Sequence, residues 1–267
     1  LIINEFVRPN TVQDAYQLLI EDSHNHILAG GAWLKLILKK ADKLISLDNL
    51  NLDKIIEKDD VIEIGAMATL REIETSSIIA NLCDGIFCQA INKIMGINIR
   101  NIATIGGSIM GKFAFSDIIP ILLVFDAELV FYKYGVISIE NFIETKNFEK
   151  DILTSIRIKK EECNGFFKKV AITPLDFAII NFAISYTNKK FNISVGSTPY
   201  IAKKAKLAME YLNSLTIISE ENIEEATQIL IEELAFSNNI RGSKEYRIEL
   251  TKAYIRRGLK KVINYVD

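Results

Sequence analysis

The chain has 267 residues, 49% hydrophobic and 25% charged, which is the profile of an ordered globular protein of one large or two ordinary domains. Its 32 basic and 34 acidic residues leave a net charge of −2, so neither nucleic acid nor an anionic membrane is an expected partner. No apolar stretch approaches the ~18 residues of a membrane span. The opening "LIINEFVRPN" has no basic region followed by a cleavage motif, so no secretory signal is expected and the missing Met reads as trimming.

The first part of the chain reads strand, helix, strand, helix, strand. "TVQDAYQLLIED" opens with Thr11 and has Asp14 three residues on, an acidic relative of the capping box. "HILAGG" is an apolar strand ending in a glycine pair. "AWLKLILKK" then reads as a short helix with cations in its last turn, and "KLISLDNL" as the next strand. In "LDKIIEKDDVIEIGAMA" two strand-like runs flank the turn "EKDD". Thr69 and Glu72 form a full capping box ahead of "LREIETSSIIA", and "DGIFCQAINKIM" is also helical. "DIIPILLVFDAELVFY" reads as a buried helix passing into a strand, and "DAELVFYKYGVISIENFI" as a hairpin plus a further short element.

Near Asp151 the pattern changes. "DILTSIRIKK" and "GFFKKVAI" are strand-like around the turn "EECNG", and "FAIINFAISYTNKKFNISVGS" reads as two strands around "TNKK". The rest is helical: "TPYIAKKAKLAMEYLN", "ENIEEATQILIEEL" and "SKEYRIELTKAYIRRGLKKVI". Strands followed by a run of helices argue for a separate α+β unit, with the border near residue 160.

Few residues offer independent chemistry. Cys83, Cys88 and Cys163 are an odd set, as expected of reduced thiols in the cytoplasm, and the spacing of Cys83 and Cys88 has no further ligand to make a metal site. His24 and His26 are the only histidines; an H-x-H pair can ligate metal, but "EDSHNHIL" reads as a polar turn entering a strand. G-x-S-x-G, Walker A and G-x-G-x-x-G are all absent. No residue is assigned as acid, base, nucleophile or metal ligand, and the chemistry is expected to belong to a bound cofactor.

Two glycine pairs are the candidate cradle. Gly30 and Gly31 follow a strand and precede a helix; Gly106 and Gly107 sit in "RNIATIGGSIMGKFAFSD". Glycine permits close approach of a ligand to the main chain, and successive N–H groups in such turns bind anions. Thr104 and Ser108 add hydroxyl donors, while Asp117, which repels phosphate, would accept from a ribose or ribitol hydroxyl. Two unrelated turns and a helix cap at Ser116 or Asp117 explain the same residues without a ligand.

A resemblance bears on this choice. "ILAGGAWLKLILK", "IEIGAMATLREIETSSII", "IRNIATIGGSI" and "SDIIPILLVFDAELV" resemble, in this order, the FAD-binding subunit of molybdenum hydroxylases, the xanthine dehydrogenase and carbon monoxide dehydrogenase family. "FKKVAITPLDFAI" and "IRGSKEYRIELTKAYIRRGL" resemble the start and closing helix of its C-terminal domain, so the resemblance spans nearly the whole chain. It implies an α+β fold: a two-lobed FAD-binding domain of the vanillyl-alcohol-oxidase-like type over residues 1–160, with lobes of about 1–50 and 51–160, then a smaller α+β domain over 161–267.

By this resemblance FAD lies between the lobes. Ile27, Leu28, Ala29, Gly30, Gly31, Ala32, Trp33 and Leu34 would line the pyrophosphate. Ala103, Thr104, Ile105, Gly106, Gly107 and Ser108 would oppose them, with Ser116 and Asp117 beyond. Ile94 and Leu153 would pack near the flavin, and either Lys168 or Lys169 matches a lysine near the isoalloxazine. Ala32 and Trp33 after the glycines, Ser108 for the usual Asn, and Phe113 and Ala114 depart from the family pattern; Trp33 reads as packing. The implied activity is an electron relay within an oxidoreductase, fed by a molybdenum-cofactor large subunit through a 2Fe–2S small subunit and drained by NAD+ or another acceptor. A scaffold that has lost flavin, and a stand-alone flavin oxidase, are the competing readings.

Overall fold

The computed structural model describes residues 2–263. It begins with β1 (Ile2–Val7), α1 (Val12–Glu21), β2 (His26–Leu28), α2 (Leu34–Ile37) and β3 (Lys40–Ser46), the alternation expected. There follow β4 (Ile55–Lys58), β5 (Val61–Gly65), α3 (Leu70–Thr75), α4 (Ile86–Ile91), α5 (Ile97–Arg100), α6 (Ile105–Met110) and α7 (Ile118–Val124). Next come β6 (Glu128–Phe131), β7 (Gly135–Ser138), α8 (Ile139–Glu144) and β8 (Leu153–Lys159). The last elements are β9 (Asn164–Val170), β10 (Ile180–Thr187), β11 (Lys190–Gly196), β12 (Lys203–Lys204), α9 (Lys206–Asn213), α10 (Glu220–Glu233) and α11 (Lys244–Ile263).

The chain forms two compact units. The first runs to Ile78 and adds Gly96–Gly111 and Ala127–Lys159; the second holds Ile79–Met95, Lys112–Asp126 and the described residues from Lys160 on. In the first, β1 and β2 flank β3 in a parallel sheet, and a second, antiparallel sheet has the order β4-β5-β8-β6-β7. Thr11 caps α1 by accepting the Asp14 N–H at 3.0 Å, and Ala15 and Leu19 on its inner face pack on Ile45 and Leu47. The Lys150 ammonium closes the other end of α1, donating to the carbonyls of Asp22, Ser23 and Asn25 at 2.8–2.9 Å. At α3 the capping box is reciprocal: Thr69 Oγ1 accepts the Glu72 N–H at 3.1 Å, and Glu72 Oε2 accepts the Thr69 N–H at 2.8 Å.

The second unit is built on the antiparallel sheet β12-β11-β10-β9. Phe182, Ile184 and Ile193 of the sheet pack with Ala208, Leu230, Ile255 and Leu259 of the three long helices. Every residue of α7 is buried, as its unbroken apolar run predicts. Asn188 and Lys189 both take left-handed φ, 49° and 61°, giving the primed turn that a two-residue hairpin requires.

Two expectations are corrected. The helix expected from Thr198 starts only at Lys206: Thr198, as the residue before a proline, is kept from helical backbone, and Lys203–Lys204 pair as β12 with β11. Cys83 and Cys163 are not reduced thiols: they are joined in a disulfide with Cα atoms 4.8 Å apart, and Cys88 lies outside it.

Candidate functional site

The predicted residues fall in both units. In the first unit, Ile27 and Leu28 end β2, and Ala29 through Trp33 form the turn into α2, which starts at Leu34. Gly30 is required by packing, because a Cβ there would overlap the Ile102 carbonyl oxygen. Gly31 is required by its backbone, with φ at +68°. Among the described residues, the N–H groups of Gly30, Gly31 and Ala32 have no hydrogen-bond acceptor. Successive uncommitted N–H groups in a turn form a concave donor surface for an anion.

The second glycine pair is built differently. Thr104 caps α6, and its Oγ1 accepts the Gly107 N–H at 3.1 Å. The Ile105 N–H donates to Ala68 O at 3.0 Å, Gly106 N–H to Ala66 O at 2.9 Å, and Ser108 N–H to Thr104 O at 3.0 Å. The donors expected from this turn are therefore committed within the chain. The Ser108 hydroxyl, expected to reach phosphate or ribose, donates to Thr104 O at 2.9 Å. Gly106 is a packing glycine, since a Cβ would stand 2.6 Å from Ala66 O. At Gly107 an added Cβ would meet only Thr104 Oγ1, at 3.1 Å, so its bare face looks onto open space.

Ala29, Gly30 and Thr104 line one cleft of about 420 Å³ together with Asp48, Asp53 and Asn101. Ala103 lies beside it, its carbonyl accepting the Leu70 N–H at 2.8 Å. Asp48 and Asp53 were not singled out by sequence; the polar run "LDNLNLD" directly after β3 was the available signal. Their carboxylates suit hydroxyl groups rather than phosphate. Leu153, also in this unit, is buried in β8.

In the second unit, Asp117 and Lys169 form a buried ion pair, Oδ2 to Nζ 2.9 Å, each side chain 5% exposed. Asn181 Nδ2 donates to Asp117 Oδ1 at 2.8 Å, and Lys169 Nζ also donates to Lys93 O at 2.8 Å. Burial pushes the Asp117 carboxyl upward, against the opposing pull of Lys169 and Asn181. Each Asp117 oxygen thus has a partner within the chain, Oδ2 the Lys169 ammonium and Oδ1 the Asn181 amide. The two lysines are separated by this geometry: Lys168 instead lies over the Tyr254 ring, 5.0 Å from its centroid. Ser116 caps α7 through its Oγ, which accepts the Ile118 and Ile119 N–H groups at 3.2 Å. Phe113, a departure from the family pattern, stacks on Phe115 with centroids 5.1 Å apart. Ile94 is half-buried just after α4.

This pair makes a stability prediction. Asp117→Asn or Lys169→Met alone leaves a buried charge without its partner and is expected to cost about 3–5 kcal/mol. The double variant is expected to cost clearly less than the sum, because neither charge remains. Urea unfolding of the four proteins measures the coupling, and simple additivity would show that the pair is not coupled.

The comparisons with known proteins agree with one another. Residues 3–159 match the model of the FAD-binding domain in molybdopterin dehydrogenase. Residues 165–262 match that of the CO dehydrogenase flavoprotein C-terminal domain. The chain belongs to the FAD-binding medium subunits of the molybdenum hydroxylase family.

Among relatives of this family, the uncharacterised YgfM of Escherichia coli (strain K12) is 28% identical over 190 residues, 70% of this chain and 71% of that protein. The nicotine 6-hydroxylase medium subunit of Paenarthrobacter nicotinovorans is 24% identical over 94% of each chain. The fold is that of a chain in the crystal structure of quinoline 2-oxidoreductase from Pseudomonas putida 86, with a TM-score of 0.86 at 23% identity, covering 99% of this chain and 98% of that one. The two-domain α+β architecture and membership of an FAD-dependent oxidoreductase family follow. Among the described residues no helix is long and apolar enough to cross a membrane.

The residues of the first unit fit FAD. Three adjacent N–H groups without acceptors at Gly30–Ala32 match an anionic pyrophosphate. Gly107 keeps a face clear that no packing contact of the chain requires.

Proposed function

We propose that the chain is the flavin station of a molybdenum-containing hydroxylase or dehydrogenase in the cytoplasm. Its partners are a molybdenum-cofactor large subunit and a 2Fe–2S small subunit, and it passes electrons to NAD+ or another acceptor. Residues 1–160, with lobes of about 1–50 and 51–160, form the FAD-binding domain in this reading, and 161–267 the C-terminal domain. The observation that carries it is the uncommitted N–H tract at Gly30–Ala32 within a matched FAD-binding domain. The medium-subunit name of the nicotine 6-hydroxylase relative supports the multi-subunit setting.

Bound FAD supplies the redox chemistry, exchanging electrons with both cluster and acceptor. The chain's residues do the rest. The Gly30, Gly31 and Ala32 N–H groups hold the pyrophosphate, Ile27, Leu28, Ala29, Trp33 and Leu34 shape that loop, and Asp48 and Asp53 accept from ribose hydroxyls. Ala103, Thr104, Ile105, Gly106, Gly107 and Ser108 form the opposing wall, which Gly107 keeps open to close approach. Ile94 and Leu153 supply apolar surface, and Lys169, fixed by Asp117, supplies a positive charge, with Ser116 and Lys168 nearby in sequence. A scaffold without flavin is favoured by one observation only, the internal commitment of every N–H from Ile105 to Ser108.

The expected result is that the isolated, flavin-loaded chain is not reduced at a catalytic rate by a heterocyclic substrate. Reduction by that substrate returns when the molybdenum and iron–sulfur subunits are added, followed as flavin absorbance in a stopped-flow instrument. Rapid reduction of the lone chain by an organic substrate would make it a stand-alone oxidase instead.

A further inference from the structure

We propose that Cys83 and Cys163 are a reversible dithiol–disulfide couple that sets the shape of a lysine-lined cavity in the second unit. The inference concerns this chain's own geometry and does not depend on what the cavity holds.

The bond joins the two elements that wall that cavity. Cys83 precedes α4, and Cys163 precedes β9. The cavity, about 630 Å³, is lined on one side by Gln89, Asn92 and Lys93 and on the other by Phe167, Lys168 and Lys169. Cys83, Asp84 and Gly85 are consecutive residues in left-handed backbone, with φ of 51°, 55° and 68°. Two of the three are not glycine, so the turn is held only because its surroundings over-determine it. Besides the disulfide, Asp84 Oδ2 accepts the Gly165 N–H at 2.9 Å, and Asp84 O accepts from Gln89 Nε2 at 2.7 Å. Gly165 is bare because a Cβ would overlap the Cys83 carbonyl oxygen. A short path of contacts therefore runs from the bond through Asp84 to Gln89 in the cavity wall. Cutting the bond removes one covalent constraint on this turn.

The chemistry also favours exchange. A disulfide in a protein proposed for a reducing compartment is more often transient or redox-sensing than structural. Cys163 is half-buried and Cys83 only 3% exposed, so Cys163 is the more accessible of the two. The reductant is a low-molecular-weight thiol such as glutathione. Its thiolate attacks Cys163 Sγ, the Cys83–Cys163 bond breaks, and Cys83 sulfur leaves as a thiolate that takes up a proton. A second thiol then attacks the mixed disulfide, freeing Cys163 and releasing the oxidised reductant. The chain gains two electrons and two protons, and the two small thiols become one disulfide. The reverse reaction with glutathione disulfide restores the bond.

The test equilibrates the full chain in buffers of increasing reduced-to-oxidised glutathione ratio, then alkylates and maps the thiols by mass spectrometry. Cys83 and Cys163 are expected to become alkylated together in one two-electron transition, with the Cys88 peptide as the internal standard. Hydrogen exchange at Gln89 and at Phe167–Lys169 is expected to be about tenfold faster in the reduced chain. Cys163→Ser, kept in oxidising buffer, should show the reduced pattern. A pair that stays bonded at every ratio, or never bonds, overturns the couple. Equal exchange at these positions in the two forms overturns the coupling to the cavity.

Discussion

Arg247→Ala is expected to cost about 3–5 kcal/mol of stability, because it deletes a buried cation on which several carbonyls depend. Arg247 is fully buried in α11. Its Nε donates to the carbonyls of Ile179 at 2.9 Å and Ser197 at 3.2 Å, its Nη1 to Ser237 O at 2.9 Å and to Gly242 O, and its Nη2 to Asn239 Oδ1 at 2.7 Å. Burial draws its pKa down, but a guanidinium this basic stays charged, and the planar fork spreads that charge over all these acceptors. Alanine removes this donor from the Ile179, Ser197 and Ser237 carbonyls and opens a cavity besides, while Gly242 O keeps the Asn239 N–H and Asn239 Oδ1 the Arg241 N–H. Arg247→Lys is expected to recover only part of the loss, since one ammonium cannot span the same set. Urea unfolding of the three proteins checks this; a loss under about 1 kcal/mol for alanine would mean that water replaces the guanidinium.

At the glycine pair, Gly107→Val and Gly106→Ala are expected to fail in opposite ways. A Cβ at Gly107 meets only Thr104 Oγ1, at 3.1 Å, so the stability change should stay within about 1 kcal/mol. The branched side chain nevertheless fills the face kept open, and FAD affinity should fall more than about tenfold. A Cβ at Gly106 would stand 2.6 Å from Ala66 O and 2.9 Å from Ala66 Cβ, both in a neighbouring segment that must move. That substitution should cost about 1–3 kcal/mol of fold stability even without flavin. Bound flavin and thermal unfolding, read on the same samples, separate the two. Full flavin content in Gly107→Val would return the second pair to the status of a structural turn.

What could be read beforehand was local. The caps at Thr11 and Thr69, the hairpin around Asn188 and the buried run of α7 each follow from neighbours a few residues apart, and the order of several motifs carried the family. Partners distant in sequence left no such trace. Periodicity marks Arg247 as a residue on a helix face, not as one that faces inward to five carbonyls. It places Asp117 after a phenylalanine-rich turn, without indicating that Lys169 pairs with its Oδ2. Cys83 and Cys163 lie 80 residues apart, and nothing in either segment names the other. The two glycine pairs look alike as letters. Only the backbone shows that one leaves its N–H groups open while the other spends them on Ala66, Ala68 and Thr104.

The proposed function stands on FAD being held by its pyrophosphate on the Gly30–Ala32 loop. The most direct measurement is calorimetric titration of the flavin-free chain with FAD and, separately, with FMN, with the natively bound cofactor identified by mass spectrometry after heat release. FMN carries one phosphate and no adenosine, so in the proposed binding mode it forgoes the pyrophosphate contacts and the ribose contacts at Asp48 and Asp53. The expected result is one FAD per chain, FAD as the released species, and binding of FMN weaker by at least about a hundredfold, or 2.7 kcal/mol. FMN as the sole bound flavin, or equal affinity for the two, would contradict it.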